Sequence, residues 1–372
     1  MLKVLTVFGT RPEAIKMAPL IAELEKCPEI DNKNCITGQH KDMVASLIDL
    51  FDIRVDYDLD LMRENQTLEH ITIGVLQQVS QILRSETFDY LLVQGDTTTS
   101  MAAGLAAFYC GVKVGHVEAG LRTFNKYHPY PEETNRKIID SLSDLYFAHT
   151  ELAKQHLLNE GIPDEQIAVT GNTVIDALLD VSSRDFDFAQ SPLSHLPIGS
   201  KRIILVTAHR RESFGGPFEA ICEGLKQLAL KYQDDITLVY PVHRNPNVRK
   251  IVNAKLADID NVLLIDPLEY MPMVHLMKSA YLVLTDSGGL QEEAPSLGKP
   301  VLVMREVTER QEGVAAGTVK VIGMDAQKIV DEASRLLDDE NAYKAMAECI
   351  NPYGDGTASI QIVKKLLQEQ DK

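Results

Sequence analysis

Val7-Phe8-Gly9-Thr10-Arg11-Pro12-Glu13-Ala14-Ile15-Lys16 joins a strand to a helix. Leu2, Val4, Leu5, Val7 and Phe8 make the strand apolar, Gly9 turns it, and Pro12 at the first helical position with Glu13 opens the helix. Ala14, Met17, Ala18, Ile21 and Leu24 follow at helical spacing, so one face of this helix packs on a sheet. A strand running directly into a helix leaves unpaired backbone N–H groups aimed at a crevice where an anion can bind. Arg11 and Lys16 bring two cations there. The turn reads as a phosphate site but not as a dinucleotide fingerprint. It holds one glycine where G-x-G-x-x-G needs three, and the next strand ends Ile36-Thr37-Gly38 without an acidic ribose partner. Nicotinamide chemistry is disfavoured.

The same alternation continues outward from this unit. Apolar runs of strand length fall at 2–8, 33–37, 90–94, 112–117, 144–148 and 166–170, then at 202–207, 236–241, 262–265, 280–285, 300–304 and 319–322. Continuous apolarity marks parallel strands buried on both faces. The pattern predicts an α/β protein of two doubly wound, Rossmann-like domains facing a central cleft. The expected boundaries are 1–170 and 171–356, with a helix at about 357–372 packing back on the first domain. The stretch Asp180–Ser200, rich in Asp, Ser and Pro, reads as a surface excursion.

Composition limits the function. A chain of 372 residues suits two domains, and 45% apolar residues suffice for two cores. The net charge of −17 argues against nucleic acid or an anionic membrane as partner, so an anionic ligand must be met by a local basic cluster. Five cysteines (Cys27, Cys35, Cys110, Cys222, Cys349) lack C-x-x-C spacing and read as reduced thiols. A strand at the very start leaves no room for a signal peptide, and no apolar run nears the roughly 20 residues of a membrane span. The expected location is the cytoplasm.

In open parallel sheets ligands bind beyond the carboxyl ends of the strands, and the unusual polar residues cluster there. Gln94-Gly95-Asp96 ends one strand, where Asp96 is either an N-cap or a site carboxylate. The next strand carries His116 and Glu118, which period-2 alternation would put on one side at its mouth. Glu132, Glu133 and Arg136 follow in the first turn of a helix, where acidic residues also serve the dipole. Together Asp96, Glu118 and Glu132 suit paired acid/base work. In the second half His209 with Arg210 and Arg211, and His243 with Arg244, stand at strand ends. No third ligand with metal spacing accompanies them, so no metal is expected. Ser287-Gly288-Gly289 at a helix start is a backbone cradle for a diphosphate, Glu293 one turn on can accept both ribose hydroxyls, and Arg310 adds a cation.

These blocks, with Gly171–Ala177, Tyr240–Arg249 and Thr308–Thr318, resemble the non-hydrolysing UDP-N-acetylglucosamine 2-epimerases along nearly the whole chain. The resemblance implies a GT-B-type fold, a homodimer, no cofactor, and interconversion of UDP-GlcNAc and UDP-ManNAc for cell-surface polysaccharide synthesis. It implies anti elimination of UDP to a 2-acetamidoglucal, then re-addition. By motif, Arg11, Lys16, Arg136, His209, the Ser287-Gly288-Gly289 cradle and Arg310 would hold or stabilise UDP, and Glu293 the ribose. Asp96, Glu118 and Glu132, with His209, are the catalytic candidates. A modified UDP-HexNAc (2,3-diacetamido or 6-deoxy) or a GT-B glycosyltransferase is the alternative.

Three departures from the family pattern stand out. Gln94 replaces a histidine usual before Gly-Asp, a change expected to act slightly on Asp96. Met273 stands where relatives commonly carry a phenylalanine near the uracil, and Gln311-Glu312-Gly313 replaces Pro-Glu after Thr-Glu-Arg. Many bacterial members bind a second UDP-GlcNAc as activator, and Gln39, His40, Gln66, Arg211 and His243 are the residues the resemblance assigns to it. Asp42 and Asn65 stand where regulated relatives have glutamine and arginine. Exchanging charge in that sense weakens a diphosphate site, so activation is expected to be altered or reduced.

Overall fold

The structure, a computed structural model, describes residues 1–38, 41–61, 66–210 and 215–370, with backbone alone for 41–43. It divides into two units, Met1–Ala177 with Tyr353–Lys372, and Leu178–Pro352.

In the first unit, β1 (Leu2–Phe8), β2 (Ile30–Ile36), β3 (Tyr57–Asp58), β4 (Tyr90–Gln94), β5 (Lys113–Ala119), β6 (Leu145–Ala148) and β7 (Ile167–Val169) form one sheet. The order is β3-β2-β1-β4-β5-β6-β7, all neighbours parallel. The order reverses between β1 and β4, which opens the crevice where such sheets bind ligands. Leu5, Val7, Leu91 and Val93 pack against Ile71, Val75 and Val79 of helix Leu68–Ser85 and Ala102, Ala103 and Ala106 of helix Thr98–Cys110. The alanines let those two helices lie close together on the sheet.

Helix Arg11–Lys26 begins one residue before Pro12, with Thr10 and Glu13 forming a capping box. Helix Ala358–Gln370 packs on it. Its first turn is capped from elsewhere, since Asp176 accepts from the N–H groups of Ala358 (3.3 Å) and Ser359 (2.8 Å). The chain enters that turn through a close crossing. A Cβ on Gly171, at φ +83°, would lie 3.1 Å from the Gly354 Cα, so only glycine serves there.

In the second unit, β8 (Arg202–Thr207), β9 (Ile236–Pro241), β10 (Val262–Ile265), β11 (Ala280–Thr285), β12 (Val301–Val303) and β13 (Val319–Val321) form a parallel sheet in the order β10-β9-β8-β11-β12-β13. Its reversal point lies between β8 and β11. Ile204, Val206, Leu282 and Leu284 join Phe218, Ile221 and Leu225 of helix Gly216–Lys231 in one core.

The sequence pattern misses β3, which is only two residues long, and starts β2 three residues late. The cause is Asn32 and Asn34, polar residues inside a buried strand. Asn34 is satisfied there: its Oδ1 accepts from Thr6 Oγ1 and Asn32 Nδ2 (2.7 Å each) and its Nδ2 donates to the Arg54 carbonyl, while Asn32 Oδ1 makes no hydrogen bond. The stretch 180–200 is less of an excursion than its composition suggests. Leu193 and Leu196 are buried, and Phe186 stacks on His275 at 4.5 Å. Among the described residues no helix is long and apolar enough to cross a membrane.

Candidate active site

The reversal point of the first sheet is braced by one buried glutamate. Glu13 Oε2 accepts from the N–H groups of Gly9 (3.1 Å) and Thr10 (2.7 Å), while Oε1 accepts from Thr97 Oγ1 (2.6 Å) and Ser100 Oγ (2.8 Å). The turn after β1 and the turn after β4 are thereby tied to one carboxylate. Gly9 is required beside it, because a Cβ there would come within 2.0 Å of the Thr37 hydroxyl.

Around this brace stand the carboxylates. Glu118 lies at a bulge of β5 against β6, at φ +67°. A left-handed glutamate in a strand costs about 1 kcal/mol or more and marks a place where backbone strain serves a side chain's position. Glu118 Oε2 accepts from Lys16 Nζ and, at 2.8 Å, from Gln94 Nε2. The bulge breaks the expected alternation, and His116 goes elsewhere. Its ring is fully buried, with Asp140 Oδ1 accepting from Nδ1 (2.6 Å) and the Gly95 carbonyl accepting from Nε2 (2.7 Å). Burial would raise the Asp140 carboxyl, but His116 and Arg122 hold it below the usual carboxylate range. His116 is therefore part of the scaffold under Gly95. Gln94 likewise acts on Glu118, not on Asp96 as expected, because its amide reaches across to the neighbouring strand.

Asp96 Oδ2 accepts from Arg136 Nε and Nη2, both at 2.8 Å, and the Asp96 carbonyl accepts from Asn135 Nδ2. Arg136 Nη1 turns to Glu133 Oε2 (2.8 Å). Glu133, fully buried, also takes the N–H groups of Thr123 and Phe124. Burial would raise its carboxyl, yet the Thr123 N–H, Arg136 and the Phe124 N–H hold it low. Helix Glu132–Leu142 thus carries a chain of charges from the loop at 123–124 to Asp96. At its start, one oxygen of Glu132 is buried and makes no hydrogen bond. A buried acceptor without a donor is costly unless a ligand supplies one.

In the second unit the corresponding brace is Asp286. Its Oδ2 accepts from the N–H groups of His209 (2.5 Å) and Arg210 (2.7 Å), joining the ends of β8 and β11. Its Oδ1 makes no hydrogen bond and lies 3.5 Å from His209 Nδ1. The His209 ring stacks parallel on His243 at 5.1 Å. Burial lowers the pKa of His209, Asp286 opposes that shift, and His243 and Arg210 reinforce it. Ser287 caps helix Gly288–Ser296, but its own N–H already donates to Thr285 Oγ1 at 2.9 Å. The Ser287 N–H is therefore spent within the turn, and the expected cradle would rest on the N–H groups of Gly288 and Gly289. Arg310 Nε donates to the buried Glu292 at 2.6 Å, and a Cβ on Gly288 would sit 3.4 Å from the guanidinium carbon. A Cβ on Gly289 would sit 3.2 Å from Glu293 Oε1. Both glycines thus let a long side chain draw over the helix start. Thr308 Oγ1 donates to Gln291 Oε1 (2.6 Å) and accepts from the Arg310 N–H, which fixes the loop carrying Arg310.

The UDP-N-acetylglucosamine 2-epimerase family model matches residues 22–367. The UDP-N-acetylglucosamine 2-epimerase of Escherichia coli K12 is 54% identical over 370 residues, covering 98% of each chain. The crystal structure of the Neisseria meningitidis enzyme of that name, bound to UDP-GlcNAc, is 48% identical at TM-score 0.89 and covers 99% of this chain and 100% of its own. The S. aureus MnaA–UDP co-structure is 44% identical at TM-score 0.89, covering 100% and 97%. The chain belongs to the UDP-N-acetylglucosamine 2-epimerase family. It is an isomerase with that family's two-sheet α/β fold.

Family membership sharpens which residues local sequence reading passed over. Glu13, Glu133, Asp286 and Glu292 are buried carboxylates that organise a turn or a cation, and each sits in a motif already singled out. The signal that could have found them is an acidic residue at an apolar helical position or directly after an apolar strand. Of the residues assigned to a second-nucleotide site, Gln39, His40 and Arg211 lie outside the described residues, as does Asn65. Gln66 lies just before helix Leu68–Ser85, and His243 belongs to the stacked pair with His209.

Proposed function

We propose that this epimerase interconverts UDP-GlcNAc and UDP-ManNAc by elimination and re-addition of UDP. The observation that carries the reading is Glu118, held at a strained bulge between Lys16 and Gln94, one strand from an Asp96 oriented by Arg136. The sugar's C2–H has no adjacent carbonyl, so simple proton abstraction is too costly. In the proposed step a carboxylate takes the C2 proton, that electron pair forms the C1=C2 bond, and the C1–O bond breaks to release UDP. In the return step the UDP oxygen re-forms the bond at C1, and a second group delivers a proton to the opposite face of C2. Asp96 and Glu118 are each oriented by a cation, Arg136 and Lys16, which suits them to a fixed place in proton transfer. Glu132, with one oxygen free of hydrogen bonds, completes the set.

Release of UDP builds negative charge on the diphosphate. Arg11, Lys16, His209, Arg310 and the Gly288–Gly289 N–H groups are the groups proposed to meet it, and Glu293 the ribose. Arg136, paired with Asp96 and Glu133, is proposed to orient Asp96 within the substrate site. Support for UDP-GlcNAc as substrate comes from the Neisseria meningitidis structure, which holds that compound. The product would serve cell-surface polysaccharide synthesis, the protein acting in the cytoplasm as a homodimer. Activation by a second UDP-GlcNAc is proposed to be reduced; strongly sigmoidal kinetics would contradict that. The deciding experiment is proton NMR of UDP-GlcNAc with the protein in D2O, without acceptor, metal or nicotinamide. UDP-ManNAc carrying deuterium at C2 is the expected result. Unchanged UDP-GlcNAc would overturn the substrate and direct attention to a modified UDP-HexNAc.

A further inference from the structure

Two buried carboxylates brace the two reversal points, and they differ in one respect. Both oxygens of Glu13 are occupied by donors, two on each. Asp286 spends only Oδ2 on backbone N–H groups, and its Oδ1, fully buried, has the His209 ring as its neighbour at 3.5 Å. A buried carboxylate oxygen beside one imidazole nitrogen favours a proton on that nitrogen. The other nitrogen, Nε2, then lies on the far edge of a ring whose side chain is 39% exposed.

We propose that Asp286 is a positioning residue that keeps the His209 proton on Nδ1, leaving Nε2 open, and that His209 takes up a second proton when a nucleoside diphosphate binds. This rests on the placement of His209 at the diphosphate under Proposed function. Among the described residues, the charged and titratable groups facing the ring are Asp286 from the end of β11, His243 from the end of β9, and the adjoining Arg210. The His243 ring is held in place by its Nδ1, which accepts the Asn245 N–H at 3.1 Å. Without ligand, burial, His243 and Arg210 together oppose a charge on His209 more than Asp286 favours it. A diphosphate brings at least two negative charges to the outer edge while Asp286 remains behind the inner one. Between two anions the imidazolium is the stable form. The step adds one proton from solvent to Nε2 and breaks no covalent bond.

The test uses the full-length protein, with ring nitrogens observed by 15N NMR and UDP binding measured calorimetrically at neutral pH in PIPES and in Tris. His209→Asn assigns the resonance. Wild type is expected to show the Nδ1–H tautomer without ligand, and UDP binding is expected to consume protons, read as a heat that differs between buffers. Asp286→Asn keeps an oxygen for the two backbone N–H groups and removes the charge, so proton uptake is expected to be lost and the tautomer to change. Thr207→Val breaks the 2.6 Å hydroxyl contact with Thr285 at the same strand ends and is expected to leave tautomer and uptake as in wild type. An Nε2–H tautomer in the unliganded wild type would overturn the proposal without any variant. So would equal proton uptake in Asp286→Asn and wild type. If UDP binds the wild type and leaves the His209 resonances unmoved, the placement of His209 fails and the proposal with it.

Discussion

The two sheets share one plan and set different side chains upon it. Each reverses strand order beside its first strand, and each ties the two strand ends there to a buried carboxylate, Glu13 in one and Asp286 in the other. Beyond the first brace stand carboxylates held by cations: Glu118 by Lys16, Asp96 by Arg136. Beyond the second stand a helix start and Arg310, itself paired with Glu292 and Glu309. A parallel sheet's carboxyl edge thus supplies a rigid place, and the side chains after the turn set its chemistry, which is proposed to be proton transfer in the first unit and diphosphate binding in the second.

The sharpest way to break this contrast is in the first unit. Asp96→Asn and Glu118→Gln are expected to lower kcat by roughly 10²–10⁴ while UDP affinity, measured calorimetrically, changes little. A large loss of UDP affinity in either would mean the division of labour is wrong. Next in size is the brace. Glu13→Ala strands the N–H groups of Gly9 and Thr10 and leaves the Thr97 and Ser100 hydroxyls only their remaining partners, and is expected to cost at least about 2 kcal/mol in urea unfolding. Asp286→Asn, which keeps its acceptor, should cost less, and equal losses would erase the distinction between the two braces.

Acid provides a third test. Glu133 and Asp140 both have folded pKa values below their unfolded ones. Their stabilisation is present above the ordinary carboxylate range and is lost as pH falls through the folded values. Wild type should therefore lose thermal stability on acidification below about pH 4. Glu133→Gln should be less stable at neutral pH and show a shallower acid loss; an unchanged acid slope would exclude Glu133 from it. Smaller still, Gln94→Leu removes one hydrogen bond to an ionised carboxylate, worth about 1.5 kcal/mol, or roughly tenfold in kcat. An unchanged rate would mean that the Gln94 amide does not orient Glu118 for the reaction. The smallest effect belongs to the second unit: Met273→Phe is expected to tighten UDP binding about two- to fivefold through ring stacking, by calorimetry. No change would place Met273 away from the base.

The alternation of apolar runs was sufficient for the α/β class and for most strands, because a parallel strand buried on both faces must be apolar along its length. It failed where burial is reached by other means, at the buried amides Asn32 and Asn34 and at the two-residue β3. The motifs also placed the candidate residues at strand ends, since polar residues after an apolar run have nowhere else to go. What each side chain touches was not legible. Glu118 and His116 part company because of a bulge, Gln94 reaches Glu118 across strands, and Ser287 spends its N–H on Thr285. Each outcome depends on atoms brought together from distant parts of the chain. A sequence records which residue follows which strand, whereas a hydrogen bond depends on position to a few tenths of an ångström, and only the packed sheets supply that.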